Sequence, residues 1–376
     1  MAVMRLTRRR PAEQRPLVGV VVPAYAVAEH LPACLDSLLA QTHNRLHVVV
    51  VDDGSPDASG EIAERYAALD PRVKVVHTDN QGLGAARNEG LRHVRGDLLA
   101  FADSDDVVPP DAYATLVAAL ERTSSDFATG SIRRWERGEL TEPPWMRRLH
   151  NPERTHLAAA DHPEILGDVF AWNKLYRRDF WERAGLSWAE GVRYEDQPTL
   201  TRAYLAGRFD VLPHDVYHWR IRDDASSITQ QRASVADLRD RLATKRASLA
   251  SVEEYVAHGG DPRVREVFVD RVLAGDLHRY FAEIPAASDE WWRMLVGGVR
   301  ELWGEGSLTR STLTPVHRLT GWLVGHDRRE QATAVMAWVA QNRRPLPRVE
   351  RTGGVYLDVP GVDLSDVDPE ALRVER

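Results

Sequence analysis

A single cysteine, Cys34, occurs in 376 residues, so the chain can form no intramolecular disulfide and no thiolate metal cluster. No apolar run approaches the roughly 18 residues that a membrane-spanning helix needs. The first residues, with Arg5, Arg8, Arg9 and Arg10, lack the apolar core and small-residue cleavage site of a signal peptide. A cytoplasmic location is the expectation that follows. Positive charge is also short, and a net charge of -7 argues against broad nucleic-acid binding driven by phosphate neutralisation. Two phosphate signatures are missing as well. No Gly-x-Gly-x-x-Gly follows the first strand-like run and no Gly-x-x-x-x-Gly-Lys-Ser/Thr occurs, which disfavours a dinucleotide-binding dehydrogenase and a P-loop NTPase.

With 43% hydrophobic and 28% charged residues, the chain has the composition of an ordinary globular protein, long enough for two domains. Apolar runs at Leu17 to Val22, Leu46 to Val51, Val73 to His77 and Leu98 to Ala102 alternate with helical patterns near 29–41, 58–69 and 83–94. Strands alternating with helices of this length predict βαβ units and a parallel sheet. Leu31, Cys34, Leu35, Leu38 and Leu39 share one helical face, which places the cysteine in a core.

In such sheets ligands bind beyond the carboxyl ends of the strands. The first strand ends in Pro23-Ala24-Tyr25, the second in Asp52-Asp53-Gly54-Ser55 and the fourth in Asp103-Ser104-Asp105-Asp106. Carboxylates packed this closely repel unless a cation sits between them, and Mg²⁺ is held by one or two carboxylates with substrate phosphates and water completing its shell. The last tip therefore reads as a metal-diphosphate site. It also fits an acidic loop in which Asp106 or Asp111 caps the next helix. An aromatic, an acceptor for a base and a metal site together suit a nucleotide pocket.

From about Arg133 to Pro163 the pattern is irregular and reads as a long binding loop or lid. Phe170-Ala171-Trp172-Asn173-Lys174-Leu175-Tyr176 and Glu195-Asp196 follow, then the strand-like Val216 to Arg222. Beyond Ser234 long helices are expected, the first through about Ala257 and others at 263–283, 289–303 and 328–341, divided by Pro285 and by the stretch from Gly304 to Pro315. Their tryptophans read chiefly as core, with Trp291 and Trp292 also considered for contact with a partner or sugar polymer.

These motifs, taken in order, resemble the family 2 inverting glycosyltransferases, whose catalytic domain has the GT-A fold. The residues that carry the likeness are Val21 to Tyr25, Val51 to Ser55, Gly84 to Gly90, Asp103 to Asp106, Trp172 to Tyr176 and Glu195-Asp196. The resemblance implies an α/β, mostly parallel GT-A sheet flanked by helices and followed by a C-terminal helical region. The expected divisions are a basic tail at 1–16, a GT-A domain at 17–232 with a nucleotide-binding half (17–130) and an acceptor half (131–232), a helical region at 233–345 and an acidic tail at 346–376.

By the same resemblance Pro23, Tyr25, Asp53, Arg87, Asp103, Ser104 and Lys174 would bind the nucleotide-sugar, with Tyr25 and Asp53 at the base, Asp103 at the ribose, and Asp52 structural. Asp105, joined by His218, would hold Mn²⁺ or Mg²⁺. Asp196 would be the catalytic base, with Glu195 either its substitute or a support for the loop. Where the family commonly has Asn after the tyrosine of the first motif, Ala26 stands here. The implied reaction is transfer from a nucleotide-sugar, uridine-based, to a hydroxyl on a glycan, polyol-phosphate polymer, lipid-linked or small-molecule acceptor. Peripheral contact with the inner face of a membrane, through the basic tail, and homo-oligomer contact through the C-terminal helices complete the expected partners. A metal-dependent nucleotidyltransferase and a catalytically silent scaffold are the rival readings.

Overall fold

The computed structural model describes residues 15–221, 232–304, 307–342 and 345–374. The arginines at 5, 8, 9 and 10 and Arg222 lie outside them. The chain divides into two compact units, residues 1–158 with 168–223 and residues 159–167 with 224–376.

The first unit is built on β1 (Val18–Ala24), α1 (Leu31–Leu39), β2 (Leu46–Asp53), α2 (Ser59–Leu69), β3 (Val73–Thr78), α3 (Leu83–His93), β4 (Leu98–Phe101) and α4 (Ala112–Thr123). Then come β5 (Phe127–Glu136), β6 (Glu139–Thr141), α5 (Pro144–His150), β7 (Arg154–Leu157), β8 (Lys174–Arg177), α6 (Arg178–Arg183), α7 (Asp196–Ala206) and β9 (Phe209–Arg220). The strand order is β3-β2-β1-β4-β8-β5-β9-β7, with β6 paired to β5. Around β1 every pairing is parallel. β8 then runs antiparallel between β4 and β5, so the nine-stranded sheet is mixed.

β1 is apolar without alternation because both of its faces are covered. Val20 and Val22 join the core with Leu31, Cys34, Leu35 and Leu38 of α1, while Val21 meets Gly90 of α3, where a Cβ would lie 2.3 Å from its side chain. The segment read as one irregular loop, 133–163, instead extends β5, turns through Gly138 into β6, and forms α5 and β7. Pro144 opens a helix, the position where a missing N–H costs nothing.

The second unit is chiefly helical, with α8 (Val235–Ala257), α9 (Pro262–Val267), α10 (Ala274–Leu277), α11 (Asp289–Trp303), α12 (Ser307–Arg310), α13 (Pro315–Gly325) and α14 (Arg329–Asn342). Ser234 and Ser288 cap α8 and α11 by accepting the backbone N–H of Asp237 and Trp291. The expected helix at 263–283 is a run of α, π and 3-10 turns over 262–286. α13 was not expected, because Pro315, read as a divider, stands at its first turn. Trp291 and Trp292 are buried, against any surface role. Residues 346–374 are not an extended tail. They hold the hairpin β10 (Arg348–Arg351) and β11 (Gly354–Leu357) and a short helix, α15 (Pro369–Leu372), with Tyr356, Leu357, Val359 and Leu372 buried. Among the described residues no helix is long and apolar enough to cross a membrane.

Candidate functional site: carboxylates gathered by one buried arginine

β1, β2 and β4 are paired side by side, so their carboxyl ends lie together. Pro23 falls beyond the last β1–β4 pair, Val21 with Phe101, where no ladder donor is required. Tyr25, just past the strand, is 49% exposed, a large aromatic left uncovered.

The two aspartates of β2 do different things. Asp52 accepts the Ser55 N–H at 3.2 Å and pairs with His77 Nδ1 at 2.9 Å. Asp53 accepts from Thr78 Oγ1 at 3.1 Å and from the backbone N–H groups of Gln81 and Gly82 at 3.0 and 2.8 Å. Its carboxylate thus fastens the turn that launches α3.

Arg87, on α3, is the hub. Its side chain is buried, its Nη1 pairs with Glu195, its Nη2 donates to Asp103 Oδ1 at 2.7 Å, and its guanidinium lies 5.0 Å from the Trp188 ring centroid. Burial disfavours its charge, but Asp103, Glu195 and Asp196 more than compensate and hold its pKa above the usual arginine value. The surrounding motif explains the close fit. A Cβ on Gly84 would fall 1.9 Å from Ala189 O, and Asn88 clamps the same loop by donating to Trp188 O at 3.0 Å and accepting its N–H at 2.9 Å.

Beyond β4 the chain turns tightly, with Asp106 N–H donating to Asp103 O at 3.2 Å. Asp103 and Asp105 are half-buried, whereas Ser104 and Asp106 are buried. Burial pushes the Asp106 carboxyl well above the ordinary range, with Asp105 and Asp103 adding to the push. Asp103 is raised chiefly by burial, against the pull of Arg87. Asp111 stands at the N-cap position of α4 but makes no side-chain cap bond, accepting instead from Thr42 Oγ1 at 2.8 Å, and Asp106 accepts the Arg220 N–H at 2.7 Å.

β9 braces this turn. Tyr217 OH accepts the Asp103 N–H at 2.9 Å, Val107 and His218 exchange backbone bonds, and Arg220 donates Nε to Asp105 O and its N–H to Asp106 Oδ1, both at 2.7 Å. His218 is therefore near the acidic turn in the backbone, but its Nε2 pairs with Asp215 at 2.9 Å. Among the described residues no three His, Cys, Asp or Glu side chains form a metal cage. Two half-buried carboxylates separated by one residue still match the donor set of a hard cation that leaves most of its shell to phosphate and water.

Glu195 and Asp196 open α7, directly after Tyr194 at a φ of 62°. Glu195 is committed to Arg87, while Asp196 is half-buried in the first turn. Lys174 is elsewhere. Its ammonium is fully buried, 3.0 Å from Asp168 Oδ1, and donates to Phe170 O and Asn173 Oδ1. A lysine enclosed in this way does not reach a diphosphate at the strand tips. Asp168, which sequence reasoning missed, also accepts from Thr129 and Tyr204, and pairs with His150. Burial works against its charge, but Lys174 and His150 hold it well below the ordinary carboxylate range. Trp188, Tyr217 and Arg220 were missed too, since a lone aromatic or arginine carries no local signal.

The Glycosyl transferase family 2 model matches residues 19–184. The chain is 36% identical to the glycosyltransferase EpsJ of Bacillus subtilis over 221 residues, covering 57% of this chain and 63% of that protein, so it spans under two thirds of that relative's length. It is 33% identical over 214 residues to a polyprenol monophosphomannose synthase of Mycolicibacterium smegmatis, covering 54% of this chain and 78% of the relative. The fold resembles that of S. aureus TarS 1-349 solved in complex with UDP-GlcNAc, with a TM-score of 0.70 and 19% identity over 92% of this chain and 97% of that one. With its acidic strand tips, its arginine hub and these relatives, the chain belongs to glycosyl transferase family 2 and carries the family's GT-A fold.

Proposed function

We propose that this protein is an inverting, metal-dependent glycosyltransferase that moves a sugar from a uridine-linked nucleotide donor to an acceptor hydroxyl, on a cell-wall polymer or other glycan. The observation that carries the reading is the Arg87 bridge, which joins Asp103 at the β4 tip to Glu195, the sequence neighbour of Asp196, at the start of α7. The UDP-GlcNAc in the TarS structure supports a uridine donor.

In this reading Tyr25 and Asp53 lie at the base, Asp103 with Ser104 holds the ribose end, and Asp105 with Asp103 would hold Mn²⁺ or Mg²⁺. When bound, that cation supplies Lewis-acid stabilisation of the departing diphosphate. Asp196 takes the proton of the acceptor hydroxyl, help of roughly 10²- to 10⁴-fold for a well-placed carboxylate. Glu195, paired with Arg87, supports that guanidinium and leaves the proton to Asp196 in this reading. One displacement from the face opposite the leaving group inverts the anomeric centre, with no carboxylate-bound sugar intermediate. Lys174 belongs to the framework and has no part in these steps, and His218 is assigned to Asp215.

Two variants test the reading with a panel of nucleotide-sugars and Mn²⁺. Asp105→Ala is expected to lose metal-dependent UDP binding, read by thermal shift. Asp196→Asn should keep that binding and lose about 10²-fold or more in transfer. The product should be free nucleoside diphosphate with inverted configuration. Pyrophosphate as product, or full transfer by Asp196→Asn, would overturn the assignment.

A further inference from the structure

At their carboxyl ends β5 and β9 carry the same two residue types in opposite order, Arg134-Trp135 on one and Trp219-Arg220 on the other. Their parallel register sets Arg134 across from Trp219 and Trp135 across from Arg220. In the first pair the guanidinium lies 5.2 Å from the ring centroid, in the second 4.1 Å. Consecutive strand residues point to opposite sides, so each face of this two-stranded ribbon holds one arginine over one tryptophan.

The two pairs differ in what the arginine holds. The Arg134 Nε is buried without a hydrogen-bond partner. Arg220 instead gives its Nε to Asp105 O and its backbone N–H to Asp106 Oδ1, both at 2.7 Å. The ribbon closes on the same tryptophan, because the Ile221 N–H donates to Trp135 O at 3.0 Å. Asp103, Asp105 and Asp106 crowd like charges into one turn, and a cation fixed against that turn opposes its splaying. Arg87 is such a cation at Asp103, with the Trp188 ring 5.0 Å from its guanidinium. Arg220 repeats the arrangement at Asp105, with Trp135 in the place of Trp188.

Resting on the reading of Asp105 as a cation ligand, the geometry points to Trp135 as a positioning residue for the metal-diphosphate site. It acts through Arg220. The indole face holds the guanidinium, the guanidinium holds the Asp105 carbonyl, and the pinned carbonyl fixes the direction in which the Asp105 carboxylate leaves the chain. Groups that orient a metal ligand in this way contribute to metal affinity without touching the metal. Tryptophan suits the task because its ring is the best aromatic partner for a cation. Arginine suits it because a planar guanidinium stacks on a ring and donates a hydrogen bond at once, which an ammonium does not reproduce.

The test is calorimetric UDP binding by the full chain over a range of Mn²⁺ concentrations. Trp135→Leu is expected to weaken Mn²⁺-dependent binding roughly five- to tenfold, while Trp135→Phe, which keeps an aromatic face, stays within about twofold of the unaltered protein. Arg220→Lys keeps the charge, loses the planar fork and should weaken binding as Trp135→Leu does. Combined in one chain, the two changes should cost little more than either alone, as for residues acting as one unit. Trp219→Leu, on the opposite face of the same ribbon, should change binding by less than about twofold. Thermal midpoints check the folding of each variant, and if Trp135→Leu does not fold, Arg220→Lys against Trp219→Leu decides. Unchanged Mn²⁺ dependence in folded Trp135→Leu or Arg220→Lys, additive losses, or an equal loss in Trp219→Leu overturns the proposal. An unaltered protein that binds no UDP with Mn²⁺ would instead strike the donor reading on which it rests.

Discussion

Ala26 has a φ of 52°, in the left-handed region, and its N–H donates to Ser55 Oγ at 3.3 Å. The family's usual Asn tolerates that conformation, while alanine in it costs roughly 1–2 kcal/mol. Ala26→Gly is expected to raise the unfolding free energy by about 0.5–1 kcal/mol, after the entropy that glycine adds to the unfolded chain. Denaturant titration reads it, and a loss of stability would contradict the strain. His77 makes a prediction about pH. Its ring lies between Glu64 and Asp52, each at 2.9 Å, and those bonds raise its pKa above the usual histidine value. A group raised in the folded state contributes stability in full below its unfolded pKa of about 6.5 and loses it as pH rises through the folded value. His77→Gln should therefore lower the thermal midpoint slightly near pH 6 and hardly at all near pH 9, because the ring is half-exposed and screened. A gap that widens with pH would reverse the assignment.

At the scale of elements, Asp168 is the joint of the acceptor half. It receives Thr129 of β5, His150 at the end of α5, Lys174 of β8 and Tyr204 of α7, so four elements meet on one carboxylate. Asp168→Asn leaves the Lys174 ammonium buried without its counter-charge and is expected to cost about 3 kcal/mol or more. Replacing both partners by apolar residues, Asp168→Leu with Lys174→Met, should recover much of that loss, since a buried pair weighs little against a well-packed apolar substitute. Chemical unfolding of the single and double variants decides between this and a surface-like pair, for which neither change would matter.

For the whole molecule, the division into units has a consequence for truncation. Residues 159–167 lie in the middle of the first unit's sequence but belong to the second, where Ile165 and Leu166 are fully buried and Glu164 pairs with Arg271 at 2.8 Å. A chain ended at residue 231 would expose both side chains, each worth about 1.5–3 kcal/mol of burial. It is expected to bind a hydrophobic dye and to aggregate where the full chain does neither. A shorter chain that stays dispersed and dye-silent would show that this segment needs no partner.

Local pattern alone determined the alternation of strands and helices to residue 101, the carboxylates at the ends of β2 and β4, and the core face around Cys34, because periodicity and strand termini are properties of neighbouring residues. It could not decide which charges meet. Arg87 and Glu195 are 108 residues apart, and nothing near either one names its partner. The fate of Lys174, buried on Asp168 rather than turned to a phosphate, depends on β8 entering the sheet antiparallel between β4 and β5, a choice made by packing. Likewise Pro315, which the local pattern made a divider, stands at the first turn of α13, as Pro144 does in α5. Chemistry at the strand tips was legible from the text, whereas the pairing that gathers those tips into a candidate site required the assembled sheet.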